Sequence, residues 1–146
     1  MAESSTPTTA RPLAIGDHPV GSMMLAIPVV CFVGAVLTDL AYQGSGGNLI
    51  WLNFSSWLIA AGLFFGGFAG LLLLIDAIRL RGGWVAFGLL LAAWIVELIN
   101  ALVHARDGWT AVVPLGLTLS IIGAILVLLS GWFAAGERYR LVGERP

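Results

Sequence analysis

Charge is what this 146-residue chain has least of. Only 10% of its residues are Asp, Glu, Lys or Arg, against about 25% in a soluble domain. A water-facing surface around one core could not be covered with so few. Lysine is absent altogether: the basic set is seven Arg, set against eight Asp plus Glu for a formal net charge of -1. That leaves no basic stripe to follow a nucleic-acid backbone and excludes nucleic-acid binding as a main function. Cysteine is nearly absent too. Cys31 stands alone in an apolar run, which excludes a disulfide framework, a thiol pair and a cysteine metal cluster. No nucleophile elbow, phosphate-binding glycine loop, zincin pair or membrane-protease motif occurs, and the expectation is of a protein without catalytic residues.

What the chain has in abundance is apolar residues, 59% of the total, with a mean hydropathy of +0.97. The bilayer is therefore the expected solvent. Its core, about 30 Å thick, takes about 20 mainly apolar helical residues to cross. Four such runs are present, at about 23–42, 55–80, 84–104 and 111–135, with short connections between them. Short connections force antiparallel neighbours. The expected fold is thus all-α: an antiparallel bundle of four transmembrane helices in a multi-pass membrane protein. Residues 1–16, rich in Ser, Thr, Pro and Ala, read as a flexible N-terminal tail, and 137–146 as a short polar C-terminal tail. The first run is too long, and too weakly basic ahead of it, for a cleaved signal peptide.

Orientation follows from the arginines, which are retained on the cytoplasmic side. Four spans put both termini and the second connection on one side, with Arg11, Arg79, Arg81, Arg138, Arg140 and Arg145, and leave only Arg106 on the other. Both termini are expected in the cytoplasm, and the side bearing Arg106 is the outer one. Trp51, Trp57, Trp84, Trp109 and Trp132 fall near span ends, where amphipathic rings suit the headgroup level.

Small residues four apart let helices approach closely in lipid. The second run carries Gly62, Gly66 and Gly70 on one stripe, with Gly67 beside it, and the fourth carries Gly116, Ser120 and Ala124. These stripes are expected to pack against each other, against the first or third span, or against another chain. Pro28 and Pro114 are expected to bend their helices.

Ionisable residues at membrane depth are costly, and by that cost they mark sites. Glu97, Asn100 and His104 share one helical stripe rising toward the outer interface. Asp39 is expected at similar depth, and Arg106 with Asp107 closes the same end. Together they form a candidate outer polar cluster, either a ligand- or proton-accessible cavity or a network that fixes helix register. Glu97 lies deep enough to be either protonated or paired, with Asn100, Asp39 or Arg106 as partners. On the inner side Asp76 and Arg79 are spaced for an i, i+3 ion pair, and Asp17 with His18-Pro19 reads as a helix entry. Only two histidines exist. His18 and His104 fall on opposite sides of the bilayer and cannot ligate one haem iron. A metal centre needs three ligands, which Asp39, Glu97 and His104 could supply only if the first and third spans meet. No cofactor is expected.

With these residues in view, the chain resembles the bacterial domain of unknown function 2231 family of small four-helix membrane proteins, over roughly residues 17 to 140. The resemblance rests on His18-Pro19 leading into a span with Pro28 and Asp39, the Gly70 to Asp76 segment, and Asn100 followed by Arg106. Ser120, Ser130-Gly131-Trp132, Glu137 and Tyr139-Arg140 continue it. Two positions depart from the family pattern: Val96 stands where a His often precedes the Asn, and Ala134-Ala135 replaces a Gly pair. The resemblance implies the fold and a bacterial inner (cytoplasmic) membrane, and no activity. The expected function is a non-catalytic accessory or scaffold subunit of a membrane complex, with the bilayer and a protein partner or second copy as its contacts. Two other readings stay open. One is a proton, ion or small-solute pathway centred on Glu97; the other is a haem- or quinone-associated redox subunit, which would need ligands from a second chain.

Overall fold

The computed structural model describes the backbone of residues 19–106 and 112–143 and the side chains of 23–106 and 112–136. It contains four helices: α1 (Pro19–Gly44), α2 (Leu49–Leu80), α3 (Trp84–His104) and α4 (Leu117–Gly143), the last preceded by a wide turn over Val112–Gly116. All four are long and apolar enough to cross a membrane, and no strand occurs among the described residues. They pack as a ring in which α1 lies against α2 and α4, and α3 against the same two. The all-α four-span architecture is as the hydrophobic runs require. At about 1.5 Å per residue, the 21 residues of α3 match a bilayer core of about 30 Å.

Several boundaries differ from the sequence reading: α1 runs from Pro19 to Gly44 where 23–42 is expected, and α4 begins at Leu117 after the wide turn where 111 is expected. The second helix starts at Leu49 instead of 55, leaving a connection of only residues 45–48. Local chemistry explains it. Gly46 and Gly47 take left-handed backbone angles that end α1, with the Gly47 N–H bonded to the Tyr42 carbonyl at 3.0 Å. Asn48 then caps α2 by accepting from the Ile50 N–H at 3.0 Å. The fourth helix runs to Gly143, so residues 137–143 are helical where a polar tail is expected; nothing between Glu137 and Val142 breaks a helix. The flexible-tail reading of 1–16, the Asp17-His18 helix entry, Asp107 and Trp109 lie outside the described residues. So do the side chains of Glu137, Tyr139 and Arg140.

Each helix turns one narrow stripe inward. On α2 it is Ser55, Ile59, Gly62, Gly66, Ala69, Leu73 and Ala77. On α3 it is Ala86, Leu90, Ala93, Glu97, Asn100, Val103 and His104. Apart from the adjacent Val103 and His104, these recur at three or four residues, the period of helices packed nearly parallel to one another. Most of the remaining described surface is apolar: Trp57 and Trp132 are each 77% exposed and Val30 69%. That inverted surface is what lipid contact demands.

The glycine stripe of α2 faces α1 and α3 within the chain. A Cβ on Gly62 would overlap the Phe32 ring of α1; one on Gly66 would lie 3.5 Å from Pro28 of α1 and 3.6 Å from Trp94 of α3; one on Gly70 would lie 4.0 Å from Leu90 of α3. Gly116, Ser120 and Ala124 of the fourth span are likewise buried, and α4 packs on α1 and α3. The two stripes therefore serve different neighbours. Of the expected bends, the one at Pro114 is visible one residue ahead, where Val113 leaves helical geometry (φ -119°, ψ 127°), as a residue before proline tends to. Pro28 lies within a continuous α1.

Candidate functional site

One end of the bundle, where α1 and α3 finish and α2 begins, holds nearly all of its buried polarity. Heptad-like spacing brings one inward position from each of three helices and three from the fourth to this end: Asp39 of α1, Ser55 of α2, Ser120 of α4, and Glu97, Asn100 and His104 of α3. All are at most 5% exposed.

They form a connected network. His104 Nε2 lies 3.0 Å from Asp39 Oδ1 and 3.3 Å from Ser55 Oγ. His104 Nδ1 lies 3.1 Å from the Asn100 carbonyl oxygen. A carbonyl only accepts, so Nδ1 carries a hydrogen and Nε2 is the nitrogen that faces the carboxylate. The second Asp39 oxygen accepts from the Ser120 hydroxyl at 2.6 Å. Ser120 in turn accepts from Asn100 Nδ2 at 2.8 Å, and the same amide nitrogen donates to Glu97 Oε2 at 2.9 Å. The Asp39–His104 contact, with side chains 0% and 1% exposed, ties α1 to α3.

The sequence-derived cluster is thus assembled for Asp39, Glu97, Asn100 and His104 and corrected for Arg106. That arginine is exposed beyond the end of α3 and joins no ion pair among the described residues. Snorkelling to water costs a guanidinium less than entering a closed core. Of the three partners expected for Glu97, only Asn100 bonds it. The Asp76–Arg79 pair of the other end is not among the ion pairs of the described residues. Arg79 is exposed, while Asp76 is half-buried and engaged in an interaction of its own.

Three contributors escape the sequence reading. Ser55 falls at the edge of what reads as a glycine- and asparagine-rich connection. Its signal is its place four residues before Ile59 and seven before Gly62, visible once α2 is extended to Leu49. Ser120 reads as a small packing residue, yet its hydroxyl links Asn100 to Asp39. Gly123 is the third. It faces Glu97 so closely that a Cβ there would overlap Oε1 and lie 2.7 Å from the carboxyl carbon and 2.8 Å from Cγ. Its signal is the spacing of three from Ser120.

Below Glu97 the interior turns apolar, with Phe32, Ala69, Leu73, Ala86, Leu90 and Val127 buried in one cluster. The polar exception is Ser130, whose hydroxyl donates to the Ala86 carbonyl at 2.8 Å. On the lipid side of α2 and α3, Trp94 donates its indole N–H to the Leu63 carbonyl at 2.9 Å. Beside it is an apolar groove of about 270 Å³ floored by Gly66, Gly67 and Gly70. Among the described residues no group of three or more His, Cys, Asp or Glu is placed to hold a metal ion. Asp39 and His104 do meet, but the Glu97 carboxyl turns away toward Asn100 and Gly123.

No curated protein and no solved structure matches the chain. A family model described as predicted membrane protein (DUF2231) matches residues 17–142. That range takes in all four helices almost to the end of α4, and with it every residue of the polar network: the chain belongs to the DUF2231 family of predicted membrane proteins.

Proposed function

We propose that this four-span membrane protein is a non-catalytic accessory or scaffold subunit, whose polar cluster fixes the geometry of the bundle so that a constant outer face is offered to partners. The observation that carries the reading is how the polar side chains are used. Each helix contributes to one network, and four of its six bonds run between helices. A relay across the bilayer would need groups that pass protons in sequence. Here the link from Glu97 to Ser120 is an Asn amide, which donates hydrogen bonds but does not hand protons on. Beneath it the core of the described residues is apolar apart from Ser130. The same facts weigh against the solute-pathway reading.

The experiment is native mass spectrometry of the protein released gently from its own membrane, paired with proton flux in proteoliposomes. A defined complex with other chains, together with no flux above empty liposomes, is the expected result. A bare monomer that conducts protons, with conduction abolished by Glu97→Gln, would overturn the proposal, and haem-sized added mass would favour a redox subunit. The arginine distribution supports placing both termini in the cytoplasm, and the placement in a bacterial inner membrane rests on the resemblance read from the sequence.

A further inference from the structure

The bonding directions in the cluster leave one hydrogen unaccounted for. Asn100 Nδ2 commits both of its N–H bonds, one to Glu97 Oε2 and one to Ser120 Oγ. Ser120, having accepted, gives its own hydrogen to Asp39 Oδ2. His104 Nδ1–H points at the Asn100 carbonyl, and Nε2 shares a single proton with Asp39 Oδ1 across 3.0 Å, within reach also of the Ser55 hydroxyl. As a unit, Asp39 and His104 are neutral.

Glu97 and Asn100 are what remain. Both side chains are fully buried, and Glu97 Oε1 and Asn100 Oδ1 have no bonding partner among the described residues, although the two groups are already joined through Oε2 and Nδ2. Both orphan atoms are acceptors. An ionised Glu97 would also be an uncompensated buried anion, the least tolerable state for a charge in a closed core. Among the described residues, the elements around it offer no countercharge. Across the network, α1 presents Asp39, already matched by His104; α2 presents Ser55; α4 presents Ser120 and Gly123. Arg79 and Arg81 lie at the opposite end of the bundle, and Arg106 is exposed. Gly123 backs the carboxyl so closely that a single added methyl would overlap it, which leaves no space on that side for a hydrated metal ion.

One hydrogen resolves both orphans. A carboxylic acid beside a primary amide can close a ring of two hydrogen bonds, amide N–H to one carboxyl oxygen and carboxyl O–H to the amide oxygen. We propose that Glu97 and Asn100 form a proton-binding site, in which Glu97 holds a proton on Oε1 and donates it to Asn100 Oδ1. The cluster then carries two protons on or shared with its carboxyl groups, one here and one between Asp39 and His104, and is neutral without any metal ion.

The test is infrared spectroscopy of the full chain in lipid nanodiscs at neutral pH, in H2O and D2O, with Glu97→Gln, Asn100→Leu and Asp39→Asn. The wild type is expected to show the C=O stretch of a protonated carboxylic acid, shifted on deuteration. It should be lost in Glu97→Gln, kept in Asp39→Asn, and moved to higher wavenumber in Asn100→Leu, where the acid loses its partner. Glu97→Gln conserves shape and both hydrogen bonds and is expected to unfold within a few degrees of wild type. Thus the comparison of that variant with wild type decides the matter even if Asn100→Leu fails to fold. Absence of a Glu97-dependent acid band in the folded protein would overturn the proposal. Thermal stability that depends on added sodium, with a carboxylate band in place of the acid band, would assign the site to a metal cation and overturn it as well.

Discussion

Gly123→Ala is the smallest change that reaches the buried cluster. The added Cβ would fall 2.7 Å from the Glu97 carboxyl carbon and 2.8 Å from its Cγ, closer than real Cβ atoms come to such neighbours. Glu97 cannot swing away freely, because Asn100 holds Oε2 at 2.9 Å and the residue is fully buried. Overpacking of this kind costs about 1–3 kcal/mol. If the carboxyl is displaced far enough to break its bond to Asn100, the stranded polar groups add about 1–3 kcal/mol. A loss of about 2 kcal/mol or more is therefore expected in reversible unfolding in bicelles. Gly88→Ala supplies the control. It lies on the exposed face of α3 with nothing within 4 Å of the added atom, and should gain up to about 1 kcal/mol from helix propensity. Equal stability of Gly123→Ala and Gly88→Ala would refute the close packing of Glu97 on α4.

Other outcomes follow from the same geometry. Gly62→Ala should destabilise by about 1–3 kcal/mol in the same assay, since its Cβ meets the Phe32 ring and lies 3.1 Å from Cys31 Cβ, whereas Gly66→Ala, with ordinary contacts at 3.5 and 3.6 Å, should be tolerated. Trp94→Phe removes the indole donor to Leu63 and should cost about 0.5–1.5 kcal/mol. For topology, a green fluorescent protein fused at the C-terminus should fluoresce, and alkaline phosphatase inserted in the 45–48 connection should be active; the reverse pattern would invert the assignment from the arginines.

The number of spans and the antiparallel bundle were legible because each run of about 20 apolar residues has few alternatives in lipid. Boundaries were less so. The start of α2 hinges on Gly46, Gly47 and the Asn48 cap, turn chemistry that hydropathy averages away, and misplacing it hid Ser55. The shared stripe of Glu97, Asn100 and His104 followed from helical period alone. Asp39 came to it because short connections fix which ends of the helices lie together. What periodicity could not supply was direction: Arg106, adjacent in sequence, faces out, and Ser120, small enough to read as packing, is the hydroxyl between an amide and a carboxylate. Gly123 was invisible for a different reason. A glycine needed to admit a neighbour's side chain looks, in one sequence, like any other glycine of a membrane helix.

That the cluster ties the helices together is tested most directly by a double-mutant cycle on Asp39→Ala and His104→Ala, read by unfolding in bicelles. The contact is 3.0 Å long, fully buried, and bridges α1 to α3. Each single change strands the other partner, so their effects should fall well short of additive, with a coupling of about 1 kcal/mol or more. Additivity within about 0.5 kcal/mol would mean that the two side chains do not depend on each other, and would contradict the account.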